Sequence, residues 1–120
     1  QVFVFLVDER YISPEDPRSN QKMIRETLLR TATIPESNLI FPRTDLPLPT
    51  CATEYEDRLH ALLGAKTADI VTLGIGEDGH TASLFPPLGD EAFEEDDVIV
   101  TTTDMFDVRE RISLSLPFLI

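Results

Sequence analysis

Tryptophan is absent from this chain of 120 residues, and cysteine occurs once, as Cys51. A single cysteine forms neither an internal disulfide nor a thiolate metal cluster, so the sequence is not that of a secreted, cross-linked scaffold. A reducing, cytoplasmic setting is therefore expected. Long hydrophobic runs are also lacking. The opening run from Val2 to Val7 is too short to cross a membrane and lacks the basic start of a signal peptide.

Positive charge is scarce as well, with 10 Lys and Arg against 22 Asp and Glu and a formal net charge of −12. Nucleic-acid binding relies on Lys and Arg that displace counterions from phosphates, so we expect no nucleic-acid partner. The same acidity disfavours docking on anionic membrane surfaces. The remaining composition, 42% hydrophobic and 27% charged, is typical of a globular protein.

Both ends of the chain lie in apolar segments. Gln1 directly precedes the apolar run that opens the sequence, and Leu116 to Ile120 close it. Because the termini of complete domains normally sit at the surface, we expect residues 1–120 to be the central part of a single, larger α/β domain.

The hydrophobic pattern predicts strands that alternate with helices. The expected strands are Val2 to Val7, Leu39 to Phe41, Asp69 to Leu73, Val98 to Thr102 and Arg111 to Leu116. Helices are expected from Ser19 to about Thr31 and from a capping-box pattern at Thr53 to Gly64, with a short helical turn from Thr81 to Phe85. Such alternation is typical of α/β proteins with an open, mostly parallel sheet flanked by helices.

The run from Gly74 to Gly79 matches the G-x-G-x-x-G pattern of dinucleotide-binding sites. Such a site needs a full helix that starts within the motif. Here Pro86 and Pro87 interrupt the chain within seven residues of Gly79, and Asp78 puts a carboxylate where a diphosphate would lie. A dinucleotide-binding domain is therefore kept as an alternative only.

Asp78 and His80 are the residues of this loop with acid–base chemistry. The pKa of an imidazole lies near neutrality, so His80 can take and return a proton at working pH, and Asp78 can orient it. A lone histidine is more often structural, but a place in a glycine-rich loop after a predicted strand favours a functional role. His60, within a helical pattern, is expected to be a surface residue.

Asp8, Glu9 and Arg10 form a second charged group, directly after the first predicted strand. Charged groups at the carboxyl edge of a parallel sheet gather around one crevice. The guanidinium of Arg10 offers planar, bidentate recognition of a phosphate or a carboxylate. Arg109 and Arg111 are further candidates, although Arg111 equally suits an ion pair with surface carboxylates.

Three blocks of the sequence together resemble the 6-phosphogluconolactonase family. They are Asp8-Glu9-Arg10-Tyr11 followed by Ser19-Asn20, the run Gly74-Ile-Gly-Glu-Asp-Gly-His-Thr-Ala-Ser-Leu-Phe-Pro86, and Arg111-Ile-Ser-Leu-Ser-Leu-Pro117. The resemblance implies a Rossmann-like three-layer fold and hydrolysis of 6-phospho-D-glucono-1,5-lactone to 6-phosphogluconate in the oxidative pentose phosphate pathway. It also implies that neither a metal ion nor an organic cofactor is needed. The family's N-terminal phosphate loop and C-terminal helices have no counterpart in these residues.

The resemblance also implies roles for individual residues. His80 would be the general base that activates water, with Asp78 as its orienting partner. Arg10 would hold the phosphate or the developing charge, with Arg109 in place of the family's usual lysine. The remaining implied contacts to the sugar come from Asp8, which would accept hydroxyl hydrogens, and from Gly74 and Gly76, which would let the loop backbone approach.

Two other functions within this fold remain open. Glucosamine-6-phosphate deaminases share a similar loop but supply a glutamate where this chain has Phe85, and they usually carry tyrosine where it has Arg10. Both differences favour the lactonase. A non-catalytic sugar-phosphate sensor would have no need of His80 and Asp78.

Overall fold

A computed structural model describes residues 1–120 as five strands and four α-helices. The strands are β1 (Val4–Phe5), β2 (Asp8–Arg10), β3 (Leu39–Ile40), β4 (Val98–Thr102) and β5 (Glu110–Leu114). The helices are α1 (Asn20–Glu26), α2 (Leu28–Thr31), α3 (Leu48–Leu63) and α4 (Leu116–Leu119). The predicted α/β class is confirmed. None of the helices is long and apolar enough to cross a membrane.

The strands form two small sheets with different pairing. β1 pairs with β3 in parallel, whereas β5 lies between β2 and β4 and is antiparallel to both. The expectation of mostly parallel pairing therefore holds for β1 and β3 only. The difference arises because residues 8–10, expected to follow the first strand, form β2 themselves and pair with β5.

A buried carboxylate explains how so charged a segment forms a strand. Glu9 is 1% exposed, and its oxygens accept hydrogen bonds from the Ser19 hydroxyl (2.9 Å) and the main-chain N–H groups of Asn20 (2.7 Å) and Gln21 (2.8 Å). A buried charge is tolerated only when it is hydrogen-bonded in this way. Ser19 also caps α1 by accepting from the N–H of Lys22 (3.2 Å).

The long helix α3 begins earlier than the capping-box pattern indicates. It starts at Leu48 with Pro49 in its first turn, where the missing N–H of proline costs no hydrogen bond. Thr53 lies inside the helix, and its hydroxyl donates to the carbonyl of Pro49 (3.1 Å) instead of capping. The end at Gly64 is as predicted, with a positive φ of 56° that glycine adopts freely.

Two predicted elements do not form. No main-chain hydrogen bond joins residues 69–73 to another strand, and Ile70 is 83% exposed. An apolar run becomes a strand only where a neighbouring edge offers hydrogen-bond partners. The predicted helical turn after residue 80 is instead a tight turn, closed by Leu84 N donating to Thr81 O (2.9 Å), with Ala82 at φ 50°.

The main core lies between α3 and the antiparallel sheet. Its fully or nearly buried members are Ile40, Cys51, Ala52, Tyr55, Leu59, Val98, Ile112 and Leu114. The Tyr55 hydroxyl accepts from Leu6 N (2.8 Å) and donates to Leu6 O (2.6 Å), which ties the chain between β1 and β2 to α3. Burial raises the pKa of the Cys51 thiol to about 11, so this thiol stays protonated at neutral pH.

Candidate active site

A groove of about 690 Å³ runs between the segment that contains β1 and the glycine-rich loop, with α1 at its side. Five of the residues singled out from the sequence line this groove, namely Asp8, Arg10, Gly74, Gly76 and His80. Segments that lie far apart in the sequence therefore meet at one surface.

His80 and Asp78 form a hydrogen-bonded pair at this groove. Asp78 Oδ1 accepts from the ring nitrogen Nδ1 of His80 and from its main-chain N–H (3.2 Å). The hydrogen bond from His80 lowers the pKa of Asp78 below its usual value, so Asp78 is a carboxylate at neutral pH. Because a carboxylate only accepts, the neutral imidazole carries its proton on Nδ1 and keeps its lone pair on Nε2.

The turn before His80 leaves no room for a side chain at Gly76. A Cβ at that position would overlap Cε1 and Nδ1 of His80 and lie 2.8 Å from Asp78 Oδ1. The backbone also closes here, since Gly76 N donates to His80 O (2.8 Å). A Cβ at Gly74 would meet nothing within 4 Å. Gly76 is therefore needed to leave room for the His80 ring, whereas Gly74 faces open space.

A buried serine anchors the glycine-rich loop to the sheet. Ser83 donates its hydroxyl hydrogen to Asp8 Oδ2 (2.8 Å) and its N–H to the hydroxyl oxygen of Ser113 (3.2 Å). Its carbonyl accepts from the Thr101 hydroxyl (2.6 Å). These bonds reach β5, β2 and β4, so they attach the loop that carries His80 to the antiparallel sheet.

Arg10 and Arg111 are neighbouring cations that form no ion pair. They lie directly opposite each other on β2 and β5. Neither takes part in an ion pair, and the same is true of Arg30 and Lys66. The other six of the ten basic residues are in ion pairs, namely Arg18, Lys22, Arg25, Arg43, Arg58 and Arg109. Arg111 is 4% exposed, and burial together with the charge of Arg10 lowers its pKa. A bound anion would stabilise both charges.

Two aromatic rings stand between His80 and Arg111. The Phe85 ring centroid lies 4.9 Å from that of His80, and the Phe106 centroid lies 5.5 Å from it. The Cζ atom of Arg111 lies 5.5 Å from the Phe85 centroid and 5.6 Å from the Phe106 centroid. His80 and Arg111 therefore contact the same two aromatic rings, and no carboxylate stands at position 85.

Arg109 lies apart from this group. Its guanidinium pairs with Asp104 and is largely exposed, and it does not line the groove. The sequence left the role of Arg111 open and did not point to Ser83 or Phe106. The contacts that give these residues a place at the site come from segments far apart in the sequence.

Metal-ligating side chains gather at a different place, where α3 meets the start of β4. One donor atom each from Glu56, His60 and Asp97 lies within 4.8 Å of the others. The Glu56 carboxylate already accepts from the N–H groups of Asp97 (2.6 Å) and Val98 (3.0 Å), and His60 Nε2 pairs with Asp97 Oδ2 (2.7 Å). These donors could coordinate a cation, but here they hold the helix to the strand.

The His60–Asp97 pair is expected to stabilise the fold more in acid than in alkali. The hydrogen bond to Asp97 raises the pKa of His60 above 6.5. Its contribution is therefore full below about pH 6.5 and is lost as the pH rises through the folded-state pKa. Asp97→Asn should lower the free energy of unfolding more at pH 5.5 than at pH 9, by about 1 kcal/mol at most because the pair is exposed. Asp96→Asn, which removes an unpaired charge next to it, is the control, and equal losses at both pH values contradict the assignment.

Comparisons with known proteins agree on one family. The profile described as "Glucosamine-6-phosphate isomerases/6-phosphogluconolactonase" matches residues 1–120. A probable 6-phosphogluconolactonase of Dictyostelium discoideum is 36% identical, over 99% of this chain and 52% of that protein. The crystal structure of 6-phosphogluconolactonase from Thermotoga maritima superposes with a TM-score of 0.88 at 30% identity, over 98% of this chain and 52% of that one.

A monomeric glucosamine-6-phosphate deaminase also shares the fold, with a TM-score of 0.78 at 19% identity, over 98% of this chain and 52% of that one. At that identity the likeness concerns the fold alone. The chain spans about half the length of the curated relatives it matches.

Proposed function

Because the chain belongs to the family of glucosamine-6-phosphate isomerases and 6-phosphogluconolactonases, we propose that the whole protein hydrolyses 6-phospho-D-glucono-1,5-lactone to 6-phosphogluconate. The observation that carries the proposal is the His80–Asp78 pair, whose imidazole packs on Phe85 and Phe106, the two rings that also contact Arg111. A base close to an anion site suits a substrate that has both an ester to hydrolyse and a phosphate to bind.

His80 acts first as the base and then as the acid in this proposal. Its Nε2 takes a proton from water as the water oxygen adds to the lactone carbonyl. The tetrahedral intermediate then collapses, the bond to the ring oxygen breaks, and Nε2 returns the proton to that oxygen. No covalent nucleophile is needed because a lactone is already an activated ester. The ionised Asp78 stabilises the imidazolium that forms in between.

Arg10 and Arg111 bind the anionic end of the substrate. Arg10 lines the groove and Arg111 lies opposite it on β5, and neither guanidinium is in an ion pair. Hydrogen bonds from charged groups to phosphate contribute about 1.5–3 kcal/mol each. In a chain with a net charge of −12, this pair is the local positive charge that an anionic substrate requires.

Phe85 is the feature that separates this proposal from deamination of an amino sugar. Its ring packs on His80 with centroids 4.9 Å apart. A second acid at that position would be needed to share proton transfers with His80 during sugar ring opening. An apolar ring supplies no proton and keeps water away from that face of the imidazole.

The working environment proposed for the protein is the cytoplasm, with a phosphorylated sugar lactone as its small-molecule partner. Cys51, the one cysteine, is a buried free thiol. A fold that needs no cross-link suits a reducing compartment.

The test is a comparison of substrates with the full-length protein. We expect hydrolysis of 6-phospho-D-glucono-1,5-lactone well above its spontaneous rate, and a much lower kcat/KM for glucono-1,5-lactone, which lacks the phosphate. Release of ammonia from glucosamine 6-phosphate would overturn the proposal in favour of a deaminase. Binding of NAD without turnover of either lactone would overturn it in favour of a dinucleotide-binding domain.

A further inference from the structure

The connection between β4 and β5, residues 103–109, places the side chain of Phe106 against both His80 and Arg111. The Phe106 centroid is 5.5 Å from that of His80, with the planes at 67°, and 5.6 Å from Cζ of Arg111. Asp78 and Phe85, which also contact His80, belong to the same loop as His80. Phe106 therefore supplies a contact to His80 from a different part of the chain.

The orientation of His80 needs more than its hydrogen bond to Asp78. A single hydrogen bond fixes the position of Nδ1 but leaves the imidazole free to turn about the donor–acceptor axis. Phe85 packs at a 37° tilt and Phe106 at 67°, so the two rings restrict that rotation from different directions. A general base works only when its lone pair points at the proton it must take.

The same connection also holds Arg111. The Nε–H of Arg111 donates to the carbonyl of Val108 (2.8 Å), and its guanidinium faces the ring of Phe106. The connection is closed at its base, where Thr103 N donates to Arg109 O (2.9 Å). The contacts of Val108 and Phe106 to Arg111 therefore come from one closed segment.

We propose that Phe106 is a positioning residue that fixes the orientation of the His80 imidazole relative to the guanidinium of Arg111. The inference rests on the proposed lactone hydrolysis and extends it from the reacting groups to a side chain that supports them. Phe106 contributes to kcat through the direction of His80 Nε2. It contributes to the preference for a phosphorylated lactone through the direction of Arg111.

The variants Phe106→Ala, Phe106→Tyr and Met105→Ala of the full-length protein test this inference. With the phosphorylated lactone, Phe106→Ala should lower kcat at least about tenfold, because small misplacements of a base have large effects on rate. It should also raise KM for that substrate while leaving KM for glucono-1,5-lactone unchanged. Phe106→Tyr keeps the ring and should restore both values. Met105, 64% exposed in the same connection, is the matched control and should change neither.

A second measurement separates this inference from the function on which it rests. The imidazole proton resonances of His80 in the free protein should shift in Phe106→Ala, while those of His60 stay in place. If the wild-type protein hydrolyses no lactone, the proposed function fails. If the His80 resonances also stay in place in Phe106→Ala, the positioning role of Phe106 fails as well. In an active enzyme, a kcat within about twofold of wild type in Phe106→Ala overturns the inference, as does a Phe106→Tyr variant as impaired as Phe106→Ala.

Discussion

His80→Ala is expected to lower the rate of lactone hydrolysis by about 10²- to 10⁴-fold, the usual contribution of a positioned general base. The loss should fall on kcat, because the phosphate is proposed to bind at Arg10 and Arg111, which the substitution leaves in place. Steady-state hydrolysis of 6-phospho-D-glucono-1,5-lactone by the full-length protein measures it, with the spontaneous rate subtracted.

The chain offers a matched control in its other histidine. His60 lies on α3 with its side chain half exposed and pairs with Asp97 away from the groove. His60→Ala should therefore keep the wild-type kcat and KM at neutral pH. A His80→Ala enzyme with wild-type kcat would remove His80 from the mechanism, and equal losses in both histidine variants would point to damage to the fold.

That Asp8, Arg10 and His80 line one groove was more predictable from the sequence than the sheet that supports them. Charged residues after an apolar run, such as Asp8 and Arg10, and a glycine-rich turn before His80 indicate a ligand surface whatever strands pair nearby. The pairing itself is not local. An apolar run such as residues 69–73 shows what a segment can become, but the hydrogen-bond partners that decide whether it is a strand come from elsewhere in the chain.

Arg111 illustrates the same limit at the level of one side chain. Its sequence context suits an ion pair with a surface carboxylate as well as a ligand contact. The antiparallel register disfavours the ion pair, because it places Arg10 and not an acid opposite Arg111. Phe106 depends on the register in the same way, since the connection that carries it joins the two paired strands β4 and β5.

Gly76→Ala is expected to reduce kcat by about a hundredfold while the protein stays folded. The new methyl group would overlap the His80 ring and approach Asp78 Oδ1, so the imidazole must turn or shift to make room. A displacement of about 1 Å at a catalytic group is enough for an effect of this size. The Tm and the circular dichroism spectrum check that the fold survives, and the lactone assay reports kcat and KM separately.

Gly74→Ala is the informative comparison, because it adds the same methyl group two residues earlier. That methyl group meets no protein atom within 4 Å and leaves His80 where it is. It intrudes only into the groove where the sugar is proposed to lie, so KM should rise while kcat changes little. A kcat for Gly76→Ala within about threefold of wild type, or the same loss of kcat in both variants, would show that the turn does not hold His80 in its working position. A fall in kcat confined to Gly76→Ala would show that the absence of a side chain at Gly76 keeps His80 in its working position.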